Sequence, residues 1–195
     1  MTGSLGYRKN EAAILRGDVP EKYLRILPHV PGDRVLEIGS AEGVLALMLA
    51  RQGKRVTALE MREDRAAAAL RLSERWALSY SFQEPTFVVG RIDDRLDLLA
   101  GIETLVAVRM IYYLRAALDV VFSAVSRSVP NVVLCGNRNR AERFHSGTLT
   151  ADDALGEMNF YAGADGMTEL LKRHGYRTER KVTDGDAIVV GRKDV

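Results

Sequence analysis

The sequence predicts an α/β protein built on a doubly wound, mostly parallel seven-stranded sheet, with one antiparallel strand from a C-terminal hairpin. Two observations predict it. Short β-branched runs alternate with Ala- and Leu-rich stretches of helical periodicity along most of the chain. The last two apolar runs, "TERKV" and "AIVVGR", are joined by "TDGD", whose Asp-Gly pair is a strong hairpin signal. Right-handed crossovers make alternating strands parallel, and the hairpin is expected to add its antiparallel strand at one edge.

The elements follow in order. "PEKYLRILPHV" opens with Pro20 and spaces Tyr23, Leu24, Ile26 and Leu27 as a short amphipathic helix. "RVLEI" is the first strand, and "AEGVLALMLARQG" a helix closed by Gly53. "RVTALE" is the second strand and "REDRAAAALRLSERWAL" the second long helix. "TFVVG" and "TLVAV" are the third and fourth strands, "YYLRAALDVVFSAVS" a helix, and "VPNVVLCG" the fifth strand. Residues 137–157 are polar with little periodicity and read as a long connection. "ADGMTELLKRHGY" is a last helix ended by Gly175. No repeat or low-complexity segment interrupts this order.

A chain of 195 residues suits one domain, 1–195, with a core of useful size. Hydrophobic residues make up 47% and charged residues 28%, so disorder is not expected. The formal charge of +2 gives no argument for nucleic acid. A single cysteine, Cys135, excludes an internal disulfide framework and fits a reducing compartment; in "VVLCG" it reads as a small core residue. The N-terminal residues carry charges where a signal peptide needs an apolar run, and no stretch approaches the roughly 20 apolar residues of a membrane span. The expected location is cytoplasmic. Residues 1–19 are a lid or a flexible tail, with "YRKN" (7–10) ahead of the first core helix.

Ligands on such sheets bind beyond the carboxyl ends of the strands, at the switch point of the topology. There "VLEIGSAEG" (35–43) sets Gly39 and Gly43 beside two acids, Glu37 and Glu42. A plain surface turn is one reading. A dinucleotide turn is a second, but it needs glycine where this chain has Ala41 and Val44, and Glu37 would repel pyrophosphate. The third ligand is S-adenosylmethionine, which has no phosphate. Its cationic groups suit Glu37, its carboxylate suits the backbone N–H groups of the helix start, and Glu60 can accept both ribose hydroxyls.

With these residues the sequence resembles the class I S-adenosylmethionine-dependent methyltransferases, over roughly residues 20–195. "VLEIGSAEG" matches their first cofactor motif, "VTALE" the acid after the second strand, and "GRIDD" the third-strand loop. The resemblance implies a Rossmann-like fold and S-adenosylmethionine as cofactor, with S-adenosylhomocysteine as product. It places Glu37, Gly39, Ser40, Ala41, Glu42, Gly43, Glu60, Met61 and Arg109 at the cofactor. Arg91 stands where such proteins often have Asp, so Asp93 or Asp94 must meet the adenine amino group.

The acceptor is less legible. The loop after the fourth strand, "RMIYYLR" (109–115), lacks the Asn/Asp-Pro-Pro-Tyr/Phe turn of adenine and glutamine methylating enzymes. Arg109 and Asn137 stand where catechol-type enzymes have metal ligands, and His29, His145 and His174 are scattered, so no metal is expected. "RMIYYLR" is similar to "R-x-I-Y-H-L" in methyltransferases associated with bacterial polysaccharide assembly, with Tyr113 in place of the histidine. Tyr113 and His145 are the candidate catalytic residues, and Tyr112 and Asn137 candidates for substrate contact. Arg138, Arg140 and Arg143 read either as a solvated basic stretch or as a clamp for an anionic acceptor. The expected function is methyl transfer to an anionic small molecule or saccharide, at oxygen. RNA methylation and a non-catalytic partner role in a larger enzyme are the alternatives, and homo-oligomerisation is left open.

Overall fold

A computed structural model describes residues 18–148, 155–181 and 185–193. The N-terminal "YRKN" and the first half of "TDGD" lie outside the described residues. In chain order the elements are α1 (Glu21–Ile26), β1 (Arg34–Ile38), α2 (Val44–Arg51), β2 (Arg55–Glu60), α3 (Glu63–Ala77) and β3 (Thr86–Val89). They continue with β4 (Thr104–Val108), α4 (Leu118–Ser128), β5 (Asn131–Cys135), α5 (Arg138–His145), α6 (Ala164–Arg173), β6 (Arg177–Lys181) and β7 (Ile188–Arg192).

The seven strands form one sheet in the order β3-β2-β1-β4-β5-β7-β6, parallel except for β7. β7 does not lie at an edge, as the hairpin alone suggested. It inserts between β5 and β6, antiparallel to both. Burial explains the choice. "IVVGR" is buried along four of its five residues, while "RTERK" of β6 stays largely in water. The apolar strand takes the interior, and the charged one blunts the open edge.

Strict alternation along each central strand divides the core between the two faces. Leu36, Ile38, Leu105, Ala107, Val132 and Leu134 face α4 and α6. Val35, Val106, Val133 and Cys135 face α1 and α2 on the other side. Trp76 and Leu72 of α3 close that side against Leu47 and Met48 of α2.

Two segments differ from the sequence expectation. The helix after β4 does not begin at the tyrosine pair. Residues 111–113 and 115–117 are separate 3-10 turns, broken where Arg115 takes φ 50°, and α4 starts at Leu118. The polar stretch after β5 contains α5, a helix with no buried residue. Hydrophobic periodicity cannot reveal such a helix. It rests on caps instead: the Asn137 side chain accepts the Arg140 N–H at 3.3 Å, and Arg138 pairs with Glu142 one turn on at 2.5 Å.

Candidate functional site

Strand order reverses between β1 and β4, and a cleft of about 1070 Å³ opens over their carboxyl ends. The turn after β1 forms its floor. Gly39 and Gly43 hold φ near 70°, and Ala41 reaches φ 50°. A Cβ on Gly43 would come within 2.6 Å of the Phe87 ring and 2.9 Å of Ala69; on Gly39 it would meet Met110 at 3.0 Å. The turn therefore has room for backbone only.

Glu60 pins this turn. Its carboxylate, 5% exposed, accepts the Ala41 N–H at 2.9 Å and the Arg62 N–H at 3.0 Å. Each oxygen keeps a lone pair for a further donor. Glu37 is buried more deeply, and among the described residues its Oε2 has no hydrogen-bond partner; neither has the buried Ser40 hydroxyl. Orphaned polar atoms of this kind require a ligand or an explanation. Burial pushes the Glu37 carboxyl up to about 8, opposed by the Ala46 N–H and reinforced by the nearby Glu60 charge.

The adenosine end expected from the resemblance runs past Met61, which is mostly exposed, to Gly90, Arg91, Ile92 and Asp93. Asp93 lines the cleft and Asp94 does not. Arg91 grips Asp93 with two hydrogen bonds, 3.1 and 2.8 Å, and holds its carboxyl below the usual range. Asp94 stands 4.0 Å from the same guanidinium, 73% exposed.

At the other end the walls are Arg109, Met110, Tyr112, Tyr113 and Asn137. Tyr112 is buried and Tyr113 half exposed, with ring centroids 4.7 Å apart. Asn137 Nδ2 donates to the Tyr112 hydroxyl at 3.4 Å. Arg109, with φ 54°, reaches Asp186 before β7.

The three arginines of "GNRNRAERFH" do not converge. Arg140 lies behind the tyrosines, 5.5 and 5.9 Å from their centroids, and donates to buried Asn159 at 2.9 Å. Arg138 borders a neighbouring cavity. Neither Arg143 nor His145 lines the cleft or that cavity, because both ride on the exposed surface of α5. Glu42 lines the cleft, and burial raises its pKa.

Lys22 and Tyr23 complete the cleft from α1, and sequence reasoning missed both. The helical spacing placed Tyr23 on an apolar face, but it carries no signal that this helix overhangs the switch point. Asp186 was missed for a simpler reason: 77 residues separate it from Arg109. Among the described residues no three His, Cys, Asp or Glu side chains gather as a metal site, and no helix is long and apolar enough to cross a membrane.

No protein-family model and no curated protein sequence matches the chain. Solved structures do. The magnesium protoporphyrin IX methyltransferase ChlM of Synechocystis PCC 6803, with bound S-adenosylhomocysteine, superposes with a TM-score of 0.65 at 15% identity, covering 100% of this chain and 90% of its own. WbdD superposes at TM-score 0.63 and 15% identity over 92% of this chain, which spans only 42% of that protein's length. The methyltransferase domain of a bacterial Hen1 gives TM-score 0.64 at 13% identity, covering 89% of this chain and 96% of that domain. The fold is that of the class I S-adenosylmethionine-dependent methyltransferases.

Proposed function

We propose that the chain is an S-adenosylmethionine-dependent methyltransferase acting on an anionic small molecule or saccharide, at oxygen. The observation that carries the reading is a pair of buried polar atoms, Glu37 Oε2 and Ser40 Oγ, with no partner among the described residues, under a turn that admits only backbone. A cofactor with an ammonium and a carboxylate, and without phosphate, suits this floor. Glu37 would hold the ammonium, Glu60 the ribose hydroxyls through its free lone pairs, and Asp93 the adenine amino group. Met61 would cover the adenine.

The cofactor, when bound, supplies a methyl group on an already activated sulfonium. The chain's share is then alignment and exclusion of water. Tyr112, Tyr113 and Asn137 would orient the acceptor. Arg109 and Lys22, both in the lining, would favour an anionic acceptor there. Neighbours of this fold include a porphyrin methyltransferase and the bifunctional kinase-methyltransferase WbdD, which supports the fold and leaves the acceptor to experiment.

The test is formation of S-adenosylhomocysteine with anionic saccharides, small carboxylates and phosphates, and RNA as separate acceptor panels. Turnover led by the anionic small molecules supports the reading. Turnover on RNA alone replaces the acceptor class. Cofactor binding that yields turnover only with an added partner protein indicates the non-catalytic role, and a folded protein that binds no cofactor overturns the whole.

A further inference from the structure

Beside the main cleft lies a second cavity of about 320 Å³, between α1, the start of α5 and the approach to β7. Lys22 and Arg109 line both spaces. Arg25 and Arg138 add two further cations, against the carboxylates of Glu21 and Asp186; Cys135 and Ile188 form an apolar floor. The cations outnumber the acids.

Their pairing is uneven. Arg25 is held by Glu21 at 2.5 Å, Arg109 by Asp186 at 2.5 Å, and Arg138 by Glu142 at 2.5 Å. Lys22 has no carboxylate partner among the described residues; its ammonium rests 4.7 Å from the centroid of the Tyr23 ring. It is half-buried, and burial and then the Arg109 charge lower its pKa, opposed in part by the carboxylates of Asp186 and Glu42. A partly desolvated ammonium that shares a cavity wall with a second cation and contacts no carboxylate of the described residues is a poor arrangement by itself. An oxyanion between the two relieves the repulsion and restores the lost solvation.

We propose that this side cavity binds a carboxylate or phosphate group of the methyl acceptor, with Lys22 and Arg109 as its ligands. The proposal rests on the methyltransferase reading and extends it. It moves the anion clamp away from the arginines of α5, where the sequence suggested it, to a lysine of α1. The cavity lies on the Arg109 side of the cleft, away from the Glu60 and Asp93 end. An anionic group seated there leaves the rest of the acceptor at Tyr113 and Asn137. The cofactor's own carboxylate has the same chemistry, and the experiment separates the two sources.

Inorganic phosphate is the probe. It is titrated by calorimetry, at constant ionic strength, into the full chain saturated with S-adenosylhomocysteine, for wild type, Lys22→Ala and Lys22→Arg, each checked for unchanged thermal stability. The proposal expects phosphate binding by wild type, a loss of at least about tenfold in Lys22→Ala, recovery to within a few-fold in Lys22→Arg, and equal affinity of all three for S-adenosylhomocysteine. Absence of phosphate binding by the loaded wild type overturns it, as does unchanged binding in Lys22→Ala. A parallel loss of S-adenosylhomocysteine affinity in Lys22→Ala assigns the ammonium to the cofactor's carboxylate and also overturns it. If folded wild type binds no S-adenosylhomocysteine, the methyltransferase reading fails. The same titrations on the cofactor-free protein then decide the anion site separately.

Discussion

Asp186 Oδ2 accepts the Arg109 Nε–H at 2.5 Å, while its other oxygen accepts the Arg138 backbone N–H at 2.9 Å. One side chain, 6% exposed, thus ties the approach to β7 to the end of β4 and to the first residue of α5. Arg109 is held at φ 54° by this grip and by its N–H bond to the Cys135 carbonyl at 2.8 Å. Asp186→Ala is expected to lower stability by about 1.5–3 kcal/mol, since hydrogen bonds to a buried charge are lost while Arg109 can turn to water. Urea unfolding measures it. A loss under about 0.5 kcal/mol, the size of an ordinary surface change, would show that the hairpin is anchored by packing alone.

Gly39 and Gly43 have nearly the same φ, 70° and 72°, so replacement by Ala carries the same backbone strain of about 1–3 kcal/mol at both. Their surroundings differ. The new Cβ meets an adjustable Met110 side chain at Gly39, and the Phe87 ring with Ala69 at Gly43. Gly43→Ala is therefore expected to be the more destabilising by about 1–3 kcal/mol, the usual range for overpacking. Equal unfolding midpoints for the two variants would contradict it.

Glu60→Gln preserves size but supplies one acceptor oxygen and one amide donor. Ala41 N–H and Arg62 N–H both need acceptors there, so one of them meets a donor. Affinity for S-adenosylhomocysteine is expected to fall roughly 10- to 150-fold, the equivalent of about 1.5–3 kcal/mol. Calorimetry on the folded variant decides. An unchanged affinity removes Glu60 from the ribose role.

Glu37 sets a pH dependence with a definite sign. Burial raises its carboxyl from 4.5 to about 8, so the folded chain binds the proton more tightly than the unfolded one. Its contribution to stability is complete below about pH 4.5 and is lost as pH rises through about 8. An ammonium beside Glu37 favours the carboxylate. Cofactor binding at pH 7 should therefore release a proton, and affinity should climb toward pH 8. Calorimetry in buffers of different ionisation enthalpy measures the release. Glu37→Gln should abolish it and flatten this part of the stability profile; a variant that still releases the proton would place the titrating group elsewhere.

Among the α5 arginines the structure predicts a contrast. Arg140→Ala strands the Oδ1 of Asn159, which is fully buried, and removes the cation behind Tyr112 and Tyr113. A cost of about 1–3 kcal/mol is expected. Arg143→Ala, on an exposed surface, should stay within about 0.5 kcal/mol. Chemical denaturation of both variants checks the difference.

Periodicity along the chain was enough to determine the doubly wound sheet, its seven strands, the glycine turn and the acid at the end of β2. Each of these is written in neighbouring residues: alternation within a strand, a strand running into a turn, an acid closing the next strand. Helix α5 escaped because it buries nothing, and the short turns before α4 escaped because the local left-handed residue, Arg115, is not a glycine. Only the tertiary structure decided that β7 lies inside the sheet, that Asp93 and not Asp94 borders the cleft, and that Lys22, Arg109 and Asp186 meet. These are relations between segments far apart in sequence. They follow from which surfaces exclude water together, and no single stretch of residues records that choice.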